Sequence, residues 1–344
     1  MSVVRFPTVW AEDPVEVRHD LAGCERGFWA VVVEFEGSVT AVRMGRVHRE
    51  PPPVPTAPWT PLDGRWRTSL DRAAYEAGVT ELRARVARGE VYQANLCRVM
   101  AHDLPDDAYL DGLEALLRQG NPAPHQARLH LPEAGLDVVC ASPEAYLVRD
   151  GSRLVSRPIK GTAVDAASML PKDVAENVMI TDLVRNDLHP VCRPGTIRTP
   201  HLCALEEHPG LVHLVTTVTG ELRDGAGWPE VLAATFPPGS VSGAPKHTAL
   251  QAIRDLETVP RGPYCGAIGW IDGDARRADL AVGIRTFWAA QGQRGRELRF
   301  GVGAGITWGS DPAGEWAETE LKAQRLVGLA SGSVRVERAT PGGS

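Results

Sequence analysis

Six prolines fall within the twelve residues Glu50–Pro61 (EPPPVPTAPWTP). Proline lacks an amide donor and fixes φ, so neither a helix nor a central strand can run through that density. The stretch divides a small leading β segment from everything after it. Before it, Gly27–Glu36 (GFWAVVVEFE) and Ser38–Met44 (SVTAVRM) are β-branched runs meeting at Glu36-Gly37, the pattern of a hairpin. After it, Ser69–Arg88 takes a helical period. Ser69 is a candidate N-cap, Tyr75, Val79, Leu82 and Val86 share one face, and Gly89 is the stop.

Further on, short β-like runs alternate with helices. Leu136–Ser142, Glu144–Arg149 and Arg153–Ser156 read as strands, the last two joined by an Asp150-Gly151 turn. A helix starts near Pro171 and turns Val174, Val178 and Leu183 inward as far as Asn186-Asp187. Tyr264–Ile271, Asp279–Trp288 and Glu297–Val302 are later strands. A final helix begins at Asp311-Pro312 and runs to about Leu329, with a frayed tail beyond it. The expected class is α+β with largely antiparallel sheets. The expected division is a β element and linker at 1–68 packed on the main domain, a catalytic domain at 69–330 and a flexible tail at 331–344.

The 344 residues are 43% hydrophobic and carry a formal net charge of −6. That charge gives no general attraction to nucleic acid or to anionic membrane. No apolar run approaches the length of a membrane span and the N-terminus lacks a signal-peptide layout, so the expected location is the cytoplasm. Six scattered cysteines form no CxxC pair and read as free thiols. Cys192, His201, Cys203 and His208 match no zinc spacing.

Several residues could carry chemistry. Lys160, in Arg157-Pro158-Ile159-Lys160-Gly161-Thr162, stands at an apolar strand end before a glycine. It is either a strand-terminal lysine reaching water or a buried amine whose lowered pKa makes it a nucleophile. Asp173 and Glu176 share one helix face, as do Glu315 and Glu318, with Lys322 a turn later. Each pair alone is a solvated surface. Facing one another across a cleft, they would suit Mg²⁺ bound jointly with an anionic substrate. The small-residue turns Phe236–Lys246 and Gly301–Gly305 are either tight turns or anion-binding backbones. Arg285 interrupts an apolar strand and calls for a carboxylate, from the protein or from a ligand. His213 reads as a core histidine or a functional one.

In order along the chain, Val91-Tyr92-Gln93-Ala94-Asn95-Leu96, Ser142-Pro143-Glu144, Pro158–Thr162, Asp173–Asp187, His213-Leu214-Val215, Gly239–Lys246, Arg261–Gly269, Ile284-Arg285-Thr286 and Gly303–Lys322 resemble the chorismate-utilising enzymes. These include anthranilate, aminodeoxychorismate, isochorismate and salicylate synthases. The resemblance spans about Tyr75 to Leu329. It implies the anthranilate synthase component I-like fold: two large, mostly antiparallel sheets, helices outside and the active site between them. Family members that add water to chorismate carry a lysine base where this chain has Gln93, and anthranilate synthases typically read Pro-Ile-Ala-Gly-Thr around position 160. Lys160 therefore resembles the aminodeoxychorismate synthases.

That resemblance implies a covalent mechanism. Lys160 attacks C2 of chorismate while Glu144 protonates the departing C4 hydroxyl, and ammonia from a separate glutaminase subunit then adds at C4, giving 4-amino-4-deoxychorismate on the route to 4-aminobenzoate and folate. Mg²⁺ is implied on Glu176 and Glu318, with Asp173 and Glu315 supporting. Tyr264, Arg285, Gly303, Ala304, Gly305 and Lys322 are implied to hold the substrate carboxylates, and Gln93, Gly161, Thr162, His213 and Ser240 to line the pocket. The family's tryptophan-binding motif is not found, so feedback by tryptophan is not expected. Anthranilate or 2-amino-2-deoxyisochorismate synthesis is the alternative within the family, and a non-catalytic chorismate-binding protein the alternative outside catalysis.

Overall fold

The computed structural model describes residues 2–163, 165–208 and 211–334. Among them, eighteen strands pair through antiparallel ladders into one hydrogen-bonded network, and six α-helices pack around it: α1 (Arg72–Ala87), α2 (Asp111–Gly120), α3 (Pro171–Leu188), α4 (Trp228–Thr235), α5 (Lys246–Leu256) and α6 (Pro312–Ala330). The network has two halves. In the first, Gln93–Asp103, Gly295–Ile306, Thr286–Gly292, Leu136–Ser142 and His125–Leu131 pair in that order. In the second, Trp10–Arg18, Val39–His48, Phe28–Val33, Ala267–Asp272, Arg277–Val282, Ala145–Asp150, Arg153–Arg157 and Leu211–Glu221 follow one another. The short strand Val3–Arg5 joins the halves by pairing with His125–Leu131 on one side and Trp10–Arg18 on the other.

Strand alternation explains how both faces of the first half are used. Along Gln93–Asp103, Cys97 and Val99 enter the main core with Val31, Ile268 and Leu280 of the second half. Ala94 and Leu96 point the other way, against Tyr75, Val79 and Leu82 of α1 and Ala249 and Ala252 of α5. A third cluster seats Leu113 and Leu117 of α2 and Leu326 and Leu329 of α6 on Phe287 and Phe300. Each fully buried Val, Leu, Ile or Phe among them stabilises the fold by about 1.5–3 kcal/mol relative to exposure.

The expected hairpins are present. Phe28–Val33 pairs with Val39–His48, and Gly151 takes φ +62° between Ala145–Asp150 and Arg153–Arg157. The proline-rich stretch has no regular structure, but the sheet is continuous across it. It crosses the outer helices, with the Trp59 indole donating to Ala330 O at 2.8 Å and Pro58 so close to Gly112 that a Cβ there would sit 2.6 Å from its carbonyl carbon.

Three local expectations are corrected. Helix α1 is capped by Asp71, which accepts from Ala74 N at 2.9 Å; Ser69 is instead drawn to the sheet, its hydroxyl accepting from Val99 N at 3.0 Å. Helix α3 exposes Val174 and Val178 and buries Asn177, Ile180, Thr181, Val184 and Leu188, because Asn177 hydrogen-bonds to the strand beneath it and the Thr181 hydroxyl is satisfied within the helix, donating to Asn177 O at 2.8 Å. The run Asp279–Trp288 is two strands, Arg277–Val282 and Thr286–Gly292, broken where Arg285 takes φ +53°. Residues 335–344 of the expected tail lie outside the described residues. Before them, the chain is still packed: the Trp66 indole donates to Ser331 Oγ at 3.0 Å and Val334 N to Gly328 O at 3.0 Å.

Candidate active site

The site is built from the strand Ile159–Ala163. Its ladder with Leu211–Glu221 slips between Ile159 and Thr162, a bulge that re-aims Lys160. Glycine is required at the next position: Gly161 has φ +85°, and a Cβ there would lie 2.9 Å from Asp173 Cβ and 3.0 Å from Leu214 Cδ1. Helix α3 therefore lies tight on the bulge, and Asn177 ties the two together. Its Nδ2 donates to Leu214 O at 3.0 Å and to Lys160 O at 3.4 Å, while its Oδ1 accepts from Thr216 Oγ1.

The Lys160 side chain is 16% exposed, with Nζ 4.0 Å from Glu176 Oε2. Burial lowers its pKa; Glu176, Glu144 and Glu318 oppose that and Lys322 adds to it, and the net shift is downward. The amine also faces the strand Gly295–Ile306, where a Cβ on Gly305 would sit 2.9 Å from Nζ and collide with Gln93 Nε2.

Glu144 follows the strand Leu136–Ser142 and is 4% exposed. Burial pushes its carboxyl up to about 7, against the pull of Ser240, whose hydroxyl donates to Oε1 at 2.6 Å, and of Lys160. A carboxyl held near neutrality can give up a proton at physiological pH.

Opposite stand the polar groups of the first half. Gln93 is fully buried, Nε2 donates to Asn95 Oδ1 at 3.3 Å, and Oε1 has no partner among the described residues. Gly303, Ala304 and Gly305 pair with Cys97, Leu96 and Asn95, and Lys322 Nζ donates to Gly303 O at 3.0 Å. Tyr264 lies beneath that strand with its hydroxyl 4.0 Å from Cys97 Sγ, and its ring fills the space next to Gly301. No described carboxylate pairs with Arg285, and burial lowers the pKa of its guanidinium. His213 is buried on the strand opposite Thr162 and Glu206. The Thr162 side chain lies outside the described residues.

The four acidic residues come from α3 and α6. Glu318 pairs with Lys322 at 2.6 Å; burial pushes its carboxyl up, but Lys322, with Lys160 and Lys172, more than offsets this. Burial raises the Glu315 carboxyl, Ser310 opposes this, and Glu318 adds to it. Asp173 spends Oδ2 on the Leu170 amide at 2.9 Å as a helix cap. Among the described residues, no group of three or more His, Cys, Asp or Glu forms a ready metal cage. The donor chemistry still fits Mg²⁺, which keeps waters and takes one or two carboxylates with oxygens of an anionic substrate. Glu176 and Glu318, both acting on Lys160 from different helices, are such a pair.

Some members of this neighbourhood are given no role by the sequence. Asp187, at the end of α3, pairs with Lys246 at the start of α5 at 2.8 Å, and burial pushes its carboxyl up to about 6. Ser156 lines the same region behind Glu144. Residues so far apart in sequence become neighbours only through the sheet.

This arrangement defines a class: an enzyme site with a shielded amine, a carboxyl acid near neutrality and unpaired groups for an anionic ligand. The chain belongs to the chorismate binding enzymes, whose profile matches residues 33–328. It is 36% identical to anthranilate synthase component 1 1 of Haloarcula marismortui over 301 residues, covering 83% of this chain and 58% of that protein. It is 34% identical to aminodeoxychorismate synthase component 1 of Klebsiella aerogenes over 285 residues, covering 79% of this chain and 61% of that protein. The match thus spans about three fifths of each relative's length. The fold superposes on anthranilate synthase component I from Streptococcus pneumoniae with a TM-score of 0.79 at 21% identity, over 94% of this chain and 92% of that one. These relatives carry two reaction names, so membership fixes the family and not its member. No helix among the described residues is long and apolar enough to cross a membrane, and the described cysteines are all free thiols.

Proposed function

We propose that this chain is component I of an aminodeoxychorismate synthase, converting chorismate and ammonia to 4-amino-4-deoxychorismate, with ammonia supplied by a glutamine amidotransferase subunit. One observation carries the reading: Lys160 is a shielded amine of lowered pKa, directed at Gly305 between Glu144 and Glu176.

The neutral Lys160 amine forms a bond to C2 as both ring double bonds shift by one position and the C4–O bond breaks. Glu144 gives its proton to the departing hydroxyl, which leaves as water. Ammonia then bonds to C4, and the C2–N bond breaks with its electron pair returning to Lys160. Glu144, now a carboxylate, takes the extra proton from the new amine. Arg285 and Lys322 orient substrate carboxylates by charge, and the absence of a side chain on Gly305 lets Gln93 and Lys160 lie close against the backbone of that strand. Glu176 and Glu318 would hold Mg²⁺, supported by Asp173 and Glu315, and the ion would supply positive charge to the ring carboxylate.

Amination at C2, as in anthranilate or 2-amino-2-deoxyisochorismate synthesis, is the competing reading, since an anthranilate synthase component matches at 36% identity beside 34% for an aminodeoxychorismate synthase component. The test is incubation with chorismate, Mg²⁺ and ammonium, with products resolved by mass and fluorescence. The expected product carries nitrogen at C4, and Lys160→Ala abolishes it. Anthranilate from the parent protein, or C4 product from the variant at the parent rate, overturns the reading.

A further inference from the structure

Arg261 is 1% exposed, and the Phe35 ring covers its guanidinium at 4.1 Å. Nε and Nη2 donate to the Glu257 carboxylate at 2.8 and 2.6 Å, Nη1 to Val241 O at 2.9 Å, and Nη2 also to Asn95 O at 3.1 Å. A guanidinium so enclosed and so occupied is not a substrate ligand. Its two carbonyl partners matter by where they stand. Val241 follows Ser240, which donates to Glu144, and the Asn95 side chain accepts from the Gln93 amide. Asn95 N donates to Ser242 O at 2.8 Å, so the Ser240 turn and the Gln93–Asn95 strand meet at this corner. Glu257, at the end of α5, accepts from Cys97 N at 2.8 Å and ties the next part of that strand to the same cation. The main chain of Arg261 is held from far away in sequence. Glu36, at the tip of the N-terminal hairpin, accepts from Arg261 N at 2.7 Å and from Gly262 N at 3.1 Å, and Phe35 N donates to Gly262 O at 2.8 Å.

We propose that Arg261 is a positioning residue for the reaction: gripped by the hairpin tip, it fixes the Ser240 turn against the Gln93–Asn95 strand and keeps the Ser240 hydroxyl on Glu144. The inference rests on the function proposed above, in which Glu144 is the proton donor. Stability alone does not call for such a group, because replacing a buried ion pair by apolar groups of the same shape is often neutral. What the guanidinium adds is direction. Its planar fork reaches two carbonyls and a carboxylate at fixed angles, which the single ammonium of a lysine does not. The other charged groups near Glu144 have partners of their own: Lys160 lies against Glu176, His125 pairs with Asp279 at 2.9 Å, and Asp187 pairs with Lys246. A change at Arg261 therefore reaches Glu144 through Ser240.

Arg261→Lys keeps a cation beside Glu257 and loses the fork. Glu36→Ala leaves the Arg261 side chain intact and removes both acceptors of the main chain there; Glu36 is exposed, so this variant carries the test should Arg261→Lys fail to fold. The readout is the pH dependence of kcat/KM for chorismate at constant free ammonia, in the parent, in each variant, in Ser240→Ala and in each variant combined with Ser240→Ala. A looser Ser240 lowers the Glu144 carboxyl less, so the alkaline limb should move to higher pH, by about half a unit or more in Arg261→Lys but less than in Ser240→Ala. In the Ser240→Ala background neither variant should move it further, because the contact through which they act is gone. A merely structural role reduces the active fraction and leaves the limb where it is. A limb that stays put in the folded variants, one that moves to lower pH, or shifts that add in full to that of Ser240→Ala overturn the proposal. A parent protein that forms no aminated product overturns the function proposed above, a Ser240→Ala limb that does not move overturns Glu144 as the acid, and this inference falls with either.

Discussion

The Ser240 hydroxyl is a direct handle on the proposed acid. It is buried and donates to Glu144 Oε1 at 2.6 Å, lowering a carboxyl that burial has raised to about 7. Ser240→Ala removes that donor without adding volume. A hydrogen bond to a charged group contributes about 1.5–3 kcal/mol, and each pH unit corresponds to about 1.36 kcal/mol, so the Glu144 pKa should rise by about one to two units. The sign follows from the role: Glu144 must start protonated, so activity is lost as pH rises through its pKa, and the variant keeps activity to higher pH. The acid-side limb reports loss of the neutral Lys160 amine and should move much less, because Ser240 does not touch Lys160. The assay is the pH dependence of kcat/KM for chorismate with free ammonia held constant. An alkaline limb that stays put or moves to lower pH refutes Glu144 as the proton donor.

Two further outcomes follow from the packing. Gly305→Ala places a methyl group 2.9 Å from Lys160 Nζ and in collision with the Gln93 amide, so kcat/KM should fall at least tenfold with little change in melting temperature; near-parent activity would mean the lysine does not work at that face. Asn177→Ala strands Leu214 O and the Thr216 hydroxyl beneath α3 and should cost about 2–4 kcal/mol by denaturant unfolding. A loss below about 0.5 kcal/mol would refute the role of Asn177 in fixing the helix to the strand.

What the sequence reveals is what is decided locally. Pro312 after Asp311 starts α6 where expected, and Glu36-Gly37 and Asp150-Gly151 make their turns, because caps and turns act over a few residues. Lys160, Glu144 and the acidic pairs were legible through ordered motifs. The buried face of α3 was not: Asn177 is drawn inward by Leu214 O and the Thr216 hydroxyl on a strand far along the chain, and Thr181 lies inward with its hydroxyl donating back to Asn177 O, against the apolar period of Val174 and Val178. Nor was the meeting of Glu144 with Ser240, 96 residues apart. Arg285 stands out in the sequence as a charge in an apolar strand, but the positive φ it takes in the break between two strands is a property of the assembled sheet.

The interleaving of the chain's two ends bears on how the molecule comes into being. Phe28–Val33 is hydrogen-bonded to Ala267–Asp272, and Val3–Arg5 seals the two halves together. Neither half of the polypeptide can finish its own sheet, so Ala267–Asp272 completes a surface begun more than two hundred residues earlier by Phe28–Val33. Such long-range closure makes folding slow and all-or-none. A chain clipped within its first fifty residues should therefore lose activity through failure to assemble, even though every residue of the proposed site would still be present.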